Sequence, residues 1–302
     1  VSTAMSHLPK KDGAQRIVSV SAAPYDGHSF ARVLESLASM GATHVEPAFI
    51  VGYTEPFDES TFSQAQARQY AAWLQEHGVR CHAFSSHIDL GRPDAVEVFK
   101  GRMDFARRIG ARVINTNAAA RSNERRFFAN IEPLLRHAEA LDMWIGLENP
   151  GDGSDNLLNT AADGPELLRR IGSPRVGLNY DAGNTISHRP GVDTVADALS
   201  ALPQCLHTHV KDVRVNADGY FFTPLGQGQV GCARILQGMA ATALDLSIEI
   251  PLRLHRGPDS KPSRGAWPVP LADIERVLGA ALRFVDQHLA NATAQATTEE
   301  AA

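Results

Sequence analysis

Short apolar runs alternate with longer amphipathic stretches along almost the whole chain. The runs read as strands at 16–23 (RIVSVSAA), 43–50 (THVEPAFI), 79–84 (VRCHAF), 112–116 (RVINT), 143–148 (MWIGLE), 175–181 (RVGLNYD), 204–210 (QCLHTHV) and 246–250 (LSIEI). Between and after them, apolar residues recur at helical spacing over 29–40, 61–77, 94–109, 124–141, 164–171, 191–201, 231–243 and 270–289. Gly41, Gly78, Gly110 and Gly172 each follow one of these helices, where a left-handed C-terminal cap favours a residue without a Cβ. Eight strand–helix units, with strands apolar enough to be buried on both faces, predict an α/β fold: a single-domain (β/α)8 TIM barrel over 16–289. Two doubly wound domains would need a linker, and the pattern contains none. Residues 1–15 and 290–302 are small, polar and without period, and are expected to be a mobile extension and a disordered tail. Two segments, 211–230 and 251–270, are too long for simple connectors, and on a barrel such loops belong to the face that carries the active site.

Composition narrows the function without naming it. The chain has 302 residues, 43% of them hydrophobic and 21% charged, with a net charge of −5. No run approaches the roughly 18 apolar residues of a membrane span, and the first residues lack the apolar core of a secretory signal, so a cytoplasmic protein without a membrane partner is expected. The absence of a basic run removes the electrostatic footprint of nucleic-acid binding. Cys81, Cys205 and Cys232 are far apart and form no CxxC pair, so they read as buried thiols rather than disulfides or thiolate ligands.

Catalytic groups on a barrel sit where the strands end, and here the strand ends are not random. Strand five closes on Glu148 (LENP), strand six on Asp181 (DAGN) and strand seven on His209 (HVKD), while strand eight carries Glu249 (SIEIP). Four successive strands thus present one ligand-type side chain each to the same mouth. Crowded there without a cation, three carboxylates would repel one another, so a bound metal is the simpler account. Mostly oxygen donors with one imidazole suit a hard ion, Mn²⁺ first and Mg²⁺, Co²⁺ or Zn²⁺ after it.

With the turn PLGQGQV (224–230), this quartet and its contexts resemble the xylose isomerase-like TIM-barrel superfamily over roughly residues 16–289. The superfamily includes sugar isomerases, ketose 3-epimerases, inosose and dehydroshikimate dehydratases and abasic-site endonucleases. The resemblance implies a divalent metal held by Glu148, Asp181, His209 and Glu249, with Glu148 and Glu249 also acting as the acid/base pair. It implies a carbohydrate substrate isomerised or epimerised by proton transfer through a metal-bound enediolate. A dimer, a tetramer or a place in a larger complex is also implied. His87, Lys211, Glu46, Asn184 and Arg253 are the candidate substrate contacts, Arg253 within a basic cluster with His255, Arg256, Lys261 and Arg264. His207, two residues before His209 on the same face, is expected deeper in the barrel. Ketose 3-epimerases carry a His three residues after the strand-six Asp and an Arg six residues after the metal His, where this chain has Asn184 and Val215. That departure keeps β-elimination open, as in a dehydratase or a lyase acting on a keto-sugar, an inosose or a 3-keto-glycoside. The endonuclease pattern would need more metal ligands where Tyr220 and Phe222 stand. A non-catalytic sugar-binding barrel remains the third reading.

Overall fold

The computed structural model describes residues 15–299, with side chains as far as Ala290. In chain order the elements are β1 (Val18–Ser21), α1 (Phe30–Ser39), β2 (His44–Glu46), β3 (Ala48–Ile50), α2 (Gln64–His77), β4 (Arg80–Cys81), β5 (Ala83–His87), α3 (Ala95–Arg108), β6 (Val113–Asn117) and α4 (Glu124–Leu141). They continue with β7 (Trp144–Glu148), α5 (Gly164–Ile171), β8 (Val176–Asp181), α6 (Ala182–His188), α7 (Thr194–Ala201), β9 (Cys205–Val210), β10 (Asp212–Asn216), β11 (Gly219–Thr223), α8 (Cys232–Ala240), β12 (Asp245–Ile248), β13 (Leu254–Arg256), β14 (Pro262–Arg264) and α9 (Leu271–Glu299).

A parallel sheet in the order β3-β5-β6-β7-β8-β9-β12-β1-β2-β4 curls until its ends meet. Closure runs through two interrupted strands. The second barrel strand is split into β2 and β3 at Pro47, which has no N–H to give to a ladder, and the third is split into β4 and β5 at His82. Each half of the second then pairs with a half of the third, β2 with β4 and β3 with β5. The result is the single-domain (β/α)8 barrel that the alternating pattern predicts. Gly41, Gly78, Gly110 and Gly172 all have positive φ (77°, 66°, 104° and 66°), as helix-ending caps require. The three cysteines are free and buried.

Three features differ from the periodicity reading. The long loops carry strands: β10, β11, β13 and β14 form a separate antiparallel sheet in the order β10-β11-β13-β14. These strands are three to five residues long, and the alternation in β10 (DVRVN) is too brief to stand out from a loop. Helix α6 begins directly on Asp181, whose side chain accepts from the Asn184 N–H and caps it. The last helix continues to Glu299, past the 270–289 pattern, while the extension expected at 1–15 and the end of the tail fall almost wholly outside the described residues.

Most apolar side chains pack between the barrel and its helices, and a smaller cluster of Ala83, Val113, Trp144 and Leu206 is separate from them. The barrel interior above that cluster is polar. Residues two apart share a strand face, so Asn115, Gly146, Asn179, His207 and Ser247 form a layer directly beneath the strand ends. The layer is fully buried and hydrogen-bonded: His207 Nδ1 to Asn179 Oδ1 at 2.8 Å, Ser247 Oγ to His207 Nε2 at 3.2 Å, and Asn115 Nδ2 to Glu46 Oε1 at 2.8 Å. Gly146 has no side chain because a Cβ there would run into the Asn115 amide.

Two histidines elsewhere are held neutral. His188 accepts the Gly153 N–H at Nδ1 (3.2 Å) and donates from Nε2 to Asn159 Oδ1 (2.9 Å), so a second proton would break a bond. Burial first, then nearby Arg189, push its pKa down to about 4, and burial with Arg80 and His82 does the same to His44. The unfolded chain therefore binds more protons than the native one between about pH 6.5 and about 4. Stability from these groups is complete above that window and falls as pH drops through it. Urea midpoints of wild type should decline across the window, and an H44Q/H188Q double variant should show a shallower decline. Equal slopes would assign the acid sensitivity to other groups.

Candidate metal centre

Each of the four predicted ligands reaches the mouth from its own strand: Glu148 ends β7, Asp181 ends β8, His209 is the fifth residue of β9, and Glu249 follows β12. A register shift between Leu178 and Asn179 sets Asp181 opposite His209 in the β8–β9 ladder, and Ser247, two residues before Glu249, lies opposite His209 in the β9–β12 ladder. One ligand atom from each of the four lies within 4.8 Å of the others, and all four residues are buried.

His209 is oriented from behind. Its Nε2 lies 3.2 and 3.1 Å from the two oxygens of Glu46, itself wholly buried and held by Ser85 Oγ (2.7 Å) and the Asn115 amide. An Nε2–H donated to that carboxylate leaves Nδ1 facing Glu148 Oε2 at 3.1 Å, Glu249 Oε2 at 3.5 Å and Asp181 Oδ2 at 3.8 Å. Nδ1 of His209 and Oε1 of Glu249 are buried and have no hydrogen-bond partner. A buried acceptor without a donor costs about 1–3 kcal/mol, which a coordinated cation removes. Three carboxylates, an imidazole backed by a fourth carboxylate and the unsatisfied Oε1 of Glu249 fit a hard divalent ion.

Glu148 is the most closely held. Asn179 Nδ2 donates to Oε2 at 2.6 Å and Asn184 Nδ2 to Oε1 at 3.0 Å. Lys211 Nζ lies 2.6 Å from both Asp181 Oδ2 and Glu249 Oε2. Gly183 leaves the space for its stem, since a Cβ there would meet Lys211 Cγ. These neighbours set the charges. Burial disfavours the Glu249 carboxylate, but Lys211 and His209 outweigh it and hold its pKa well below the usual carboxylate value. Burial likewise opposes charge on His209, but Glu46, Glu148 and Glu249 hold its pKa well above that of an ordinary imidazole, so Nδ1 carries a proton that a bound cation would displace. Asp181 moves the other way: burial raises it, only partly offset by Lys211.

Above the ligands opens a cavity of about 310 Å³. Of the four, only Glu148 and Glu249 line it; Asp181 and His209 sit behind them. His87 also lines it, its Nε2 3.4 Å from Glu148 Oε2, as do Lys211 and Asn184. The remaining two candidate contacts are placed elsewhere. Glu46 lies under His209, sealed from the cavity. Arg253 donates to Asp26, Glu55 and the Gly265 and Ala266 carbonyls, and so ties the strand-eight loop to the first two strand loops. From the same basic cluster it is Arg256 that reaches the cavity wall. Trp267 is 83% exposed and is not among the residues that line the cavity. The PLGQGQV turn wraps the carboxylate of Asp212, which accepts the N–H groups of Gly226, Gly228 and Val230 at 2.9, 3.0 and 3.1 Å. Its role is to fix the loop behind Lys211. Sequence reasoning did not single out Asn179 or Asn115, although each lies two residues before a strand end and period two alone places them beneath the site.

The family model of the xylose isomerase-like TIM barrel matches residues 34–266. The chain belongs to this family. No curated protein sequence matches it significantly. Among solved structures, an L-ribulose 3-epimerase superposes with a TM-score of 0.70 at 19% identity, covering 94% of this chain and 98% of that one. A D-allulose 3-epimerase from Methylomonas sp., in complex with D-allulose, gives 0.65 at 18%, covering 91% and 98%. A probable 3-DHS dehydratase from Bacillus anthracis gives 0.65 at 16%, covering 89% and 98%. At these identities the likeness is one of fold within the xylose isomerase-like family. Among the described residues, no helix is long and apolar enough to cross a membrane.

The orienting role of Glu46 can be measured. Glu46→Gln removes the anionic acceptor behind His209 and should weaken Mn²⁺ binding by about 10- to 100-fold by calorimetry, with an unchanged circular dichroism spectrum. Unaltered affinity would remove Glu46 from the metal site.

Proposed function

We propose that the protein is a divalent-metal-dependent isomerase or epimerase of a sugar or sugar derivative, acting by proton transfer beside a carbonyl. One observation carries this reading: the two carboxylates of the cluster that line the cavity are Glu148 and Glu249, while the other two ligands are turned behind them. A site that only held a metal would need no such division. Glu148, Asp181, His209 and Glu249 would hold the ion, with Mn²⁺ the best match to the donor set. When bound, a divalent ion polarises a carbonyl and stabilises the negative charge that develops as the adjacent C–H is broken.

The side chains supply the rest. Glu148 and Glu249 stand on strands separated by β8 and β9, so a sugar between them meets a carboxylate on either side. One takes the proton and the other, once protonated from solvent, returns one: to the same carbon from the opposite face, which inverts it, or to the neighbouring carbon as a hydroxyl proton shifts between the two oxygens, which moves the carbonyl. Asn179 and Asn184 fix the Glu148 carboxylate, and Lys211 keeps Glu249 ionised and ready to accept. His87 at the wall is placed to hold a substrate hydroxyl. A second reading, β-elimination by the same base, is favoured by Asn184. It stands where the ketose 3-epimerases have a titratable His, and its amide is committed to Glu148 and the Asn149 carbonyl.

The test is proton NMR of Mn²⁺-reconstituted protein in D₂O with ketoses, aldoses, inososes and 3-keto-glycosides. Deuterium should enter beside the carbonyl, with a new stereoisomer or an aldose–ketose change. Glu148→Gln and Glu249→Gln should each slow that exchange by about 10²- to 10⁴-fold. Loss of water or an aglycone during exchange would select the elimination reading. Wild-type rates in both variants would refute acid/base roles for the pair.

A further inference from the structure

Arg256 is among the largest side chains in the molecule to be fully enclosed, at 2% exposure, yet it lines the cavity above Glu148 and Glu249. It is a buried cation with no anion. Its two hydrogen bonds go to neutral acceptors, Asn184 Oδ1 at 2.9 Å and Ser187 Oγ at 3.2 Å, and its Nε has no partner. None of the ion pairs among the described residues includes it. The acidic side chains on the same wall are committed elsewhere. Asp89 accepts from Gly91, Ala120 and Asn123, Glu148 from Asn179 and Asn184, Asp152 from Ser154, and Glu249 from Lys211. Arg253 and Arg264, from the same loop, show the usual arrangement, since both pair with Asp26 and Glu55.

A guanidinium taken out of water without a counter-charge is costly, and folded proteins rarely keep one. This one is built in place. Tyr53 and Phe222 flank it with ring centroids 5.7 and 5.3 Å from Cζ, and Gly151 lies so close that any Cβ would overlap the guanidinium. The aromatic rings and the glycine confine it to the cavity wall, where a ligand can supply the charge that the protein does not.

We propose that the substrate carries an anionic oxygen group, a carboxylate or a phosphate, and that Arg256 is its seat. The proposal rests on the sugar-derivative reading above and narrows it to acidic sugars. The planar fork of arginine matches two oxygens of one carboxylate or phosphate, and Lys211, spent on Asp181 and Glu249, does not compete for it. With the metal-facing carboxylates at one end of the cavity and Arg256 on its wall, an acidic sugar is held at two points, which fixes the carbon that faces Glu148 and Glu249.

The test reads affinity, so that it stands apart from turnover. Mn²⁺-loaded full-length protein is titrated by calorimetry with D-fructose, D-fructuronate and D-fructose 6-phosphate, and the titrations are repeated with Arg256→Met and Arg256→Lys. Wild type should bind one of the anionic sugars more tightly than D-fructose by about 10- to 100-fold, the uronate arm or the phosphate arm identifying the group. Arg256→Met should erase that preference, and Arg256→Lys should keep part of it, since it keeps the charge and loses the fork. Thermal melts confirm that each variant is folded. No preference for either anion in wild type, or a preference that survives in Arg256→Met, overturns the proposal. Anion preference without solvent exchange in D₂O would leave the seat standing and sink the proton-transfer reading instead.

Discussion

The contact between Glu46 and His209, made where no water reaches, is the constraint on which the site depends. A neutral imidazole can offer either nitrogen, and the choice is fixed here by a carboxylate behind Nε2, which turns Nδ1 toward Glu148, Asp181 and Glu249. Glu46 can be buried only because Ser85 and Asn115 also donate to it. Asn115 in turn needs the space that Gly146 leaves. A chain of packing requirements thus runs from a glycine in the barrel interior to the geometry of the metal ligands. The polar interior costs desolvation energy that an apolar filling would avoid, and it is tolerated because nearly every group in it is hydrogen-bonded.

Charge balance is the second organising term. Glu46, Glu148, Asp181 and Glu249 meet in one small buried volume, faced by the Lys211 ammonium and by the imidazoles of His209 and His87. Burial alone would drive these carboxyls toward their neutral forms. His209 and His87 prevent that for Glu148, Lys211 and His209 for Glu249, and His209 for Glu46, while Asp181 stays raised. Of the carboxylates held ionised, Glu148 and Glu249 border the cavity and Glu46 does not.

Much of this was legible in the sequence, for identifiable reasons. Strand ends on a barrel are fixed by the βα alternation, so Glu148, Asp181, His209 and Glu249 could be placed at one mouth from their position in the pattern alone. Residues that act from a distance were less accessible. Glu46 on the second strand could be read equally as a substrate contact or as the partner of a neighbouring cation, and nothing local reveals that His209 covers it. Arg253 and Arg256 are indistinguishable by composition. Only the short β13 strand, paired with β11 and β14, sends one toward the Asp26 cluster and the other onto the cavity wall. The antiparallel sheet itself escaped periodicity, since its strands are only three to five residues long and the β11–β13 pairing joins two separate loops.

The central claim is that one divalent ion sits among Glu148, Asp181, His209 and Glu249, with His209 bound through Nδ1. Anomalous diffraction from Mn²⁺-soaked crystals tests it directly. A single peak per chain at about 2.0–2.3 Å from His209 Nδ1 and from an oxygen of each of the three carboxylates is the predicted result. No peak at this position at saturating Mn²⁺, or coordination through His209 Nε2 with Glu46 as a ligand, would contradict the account.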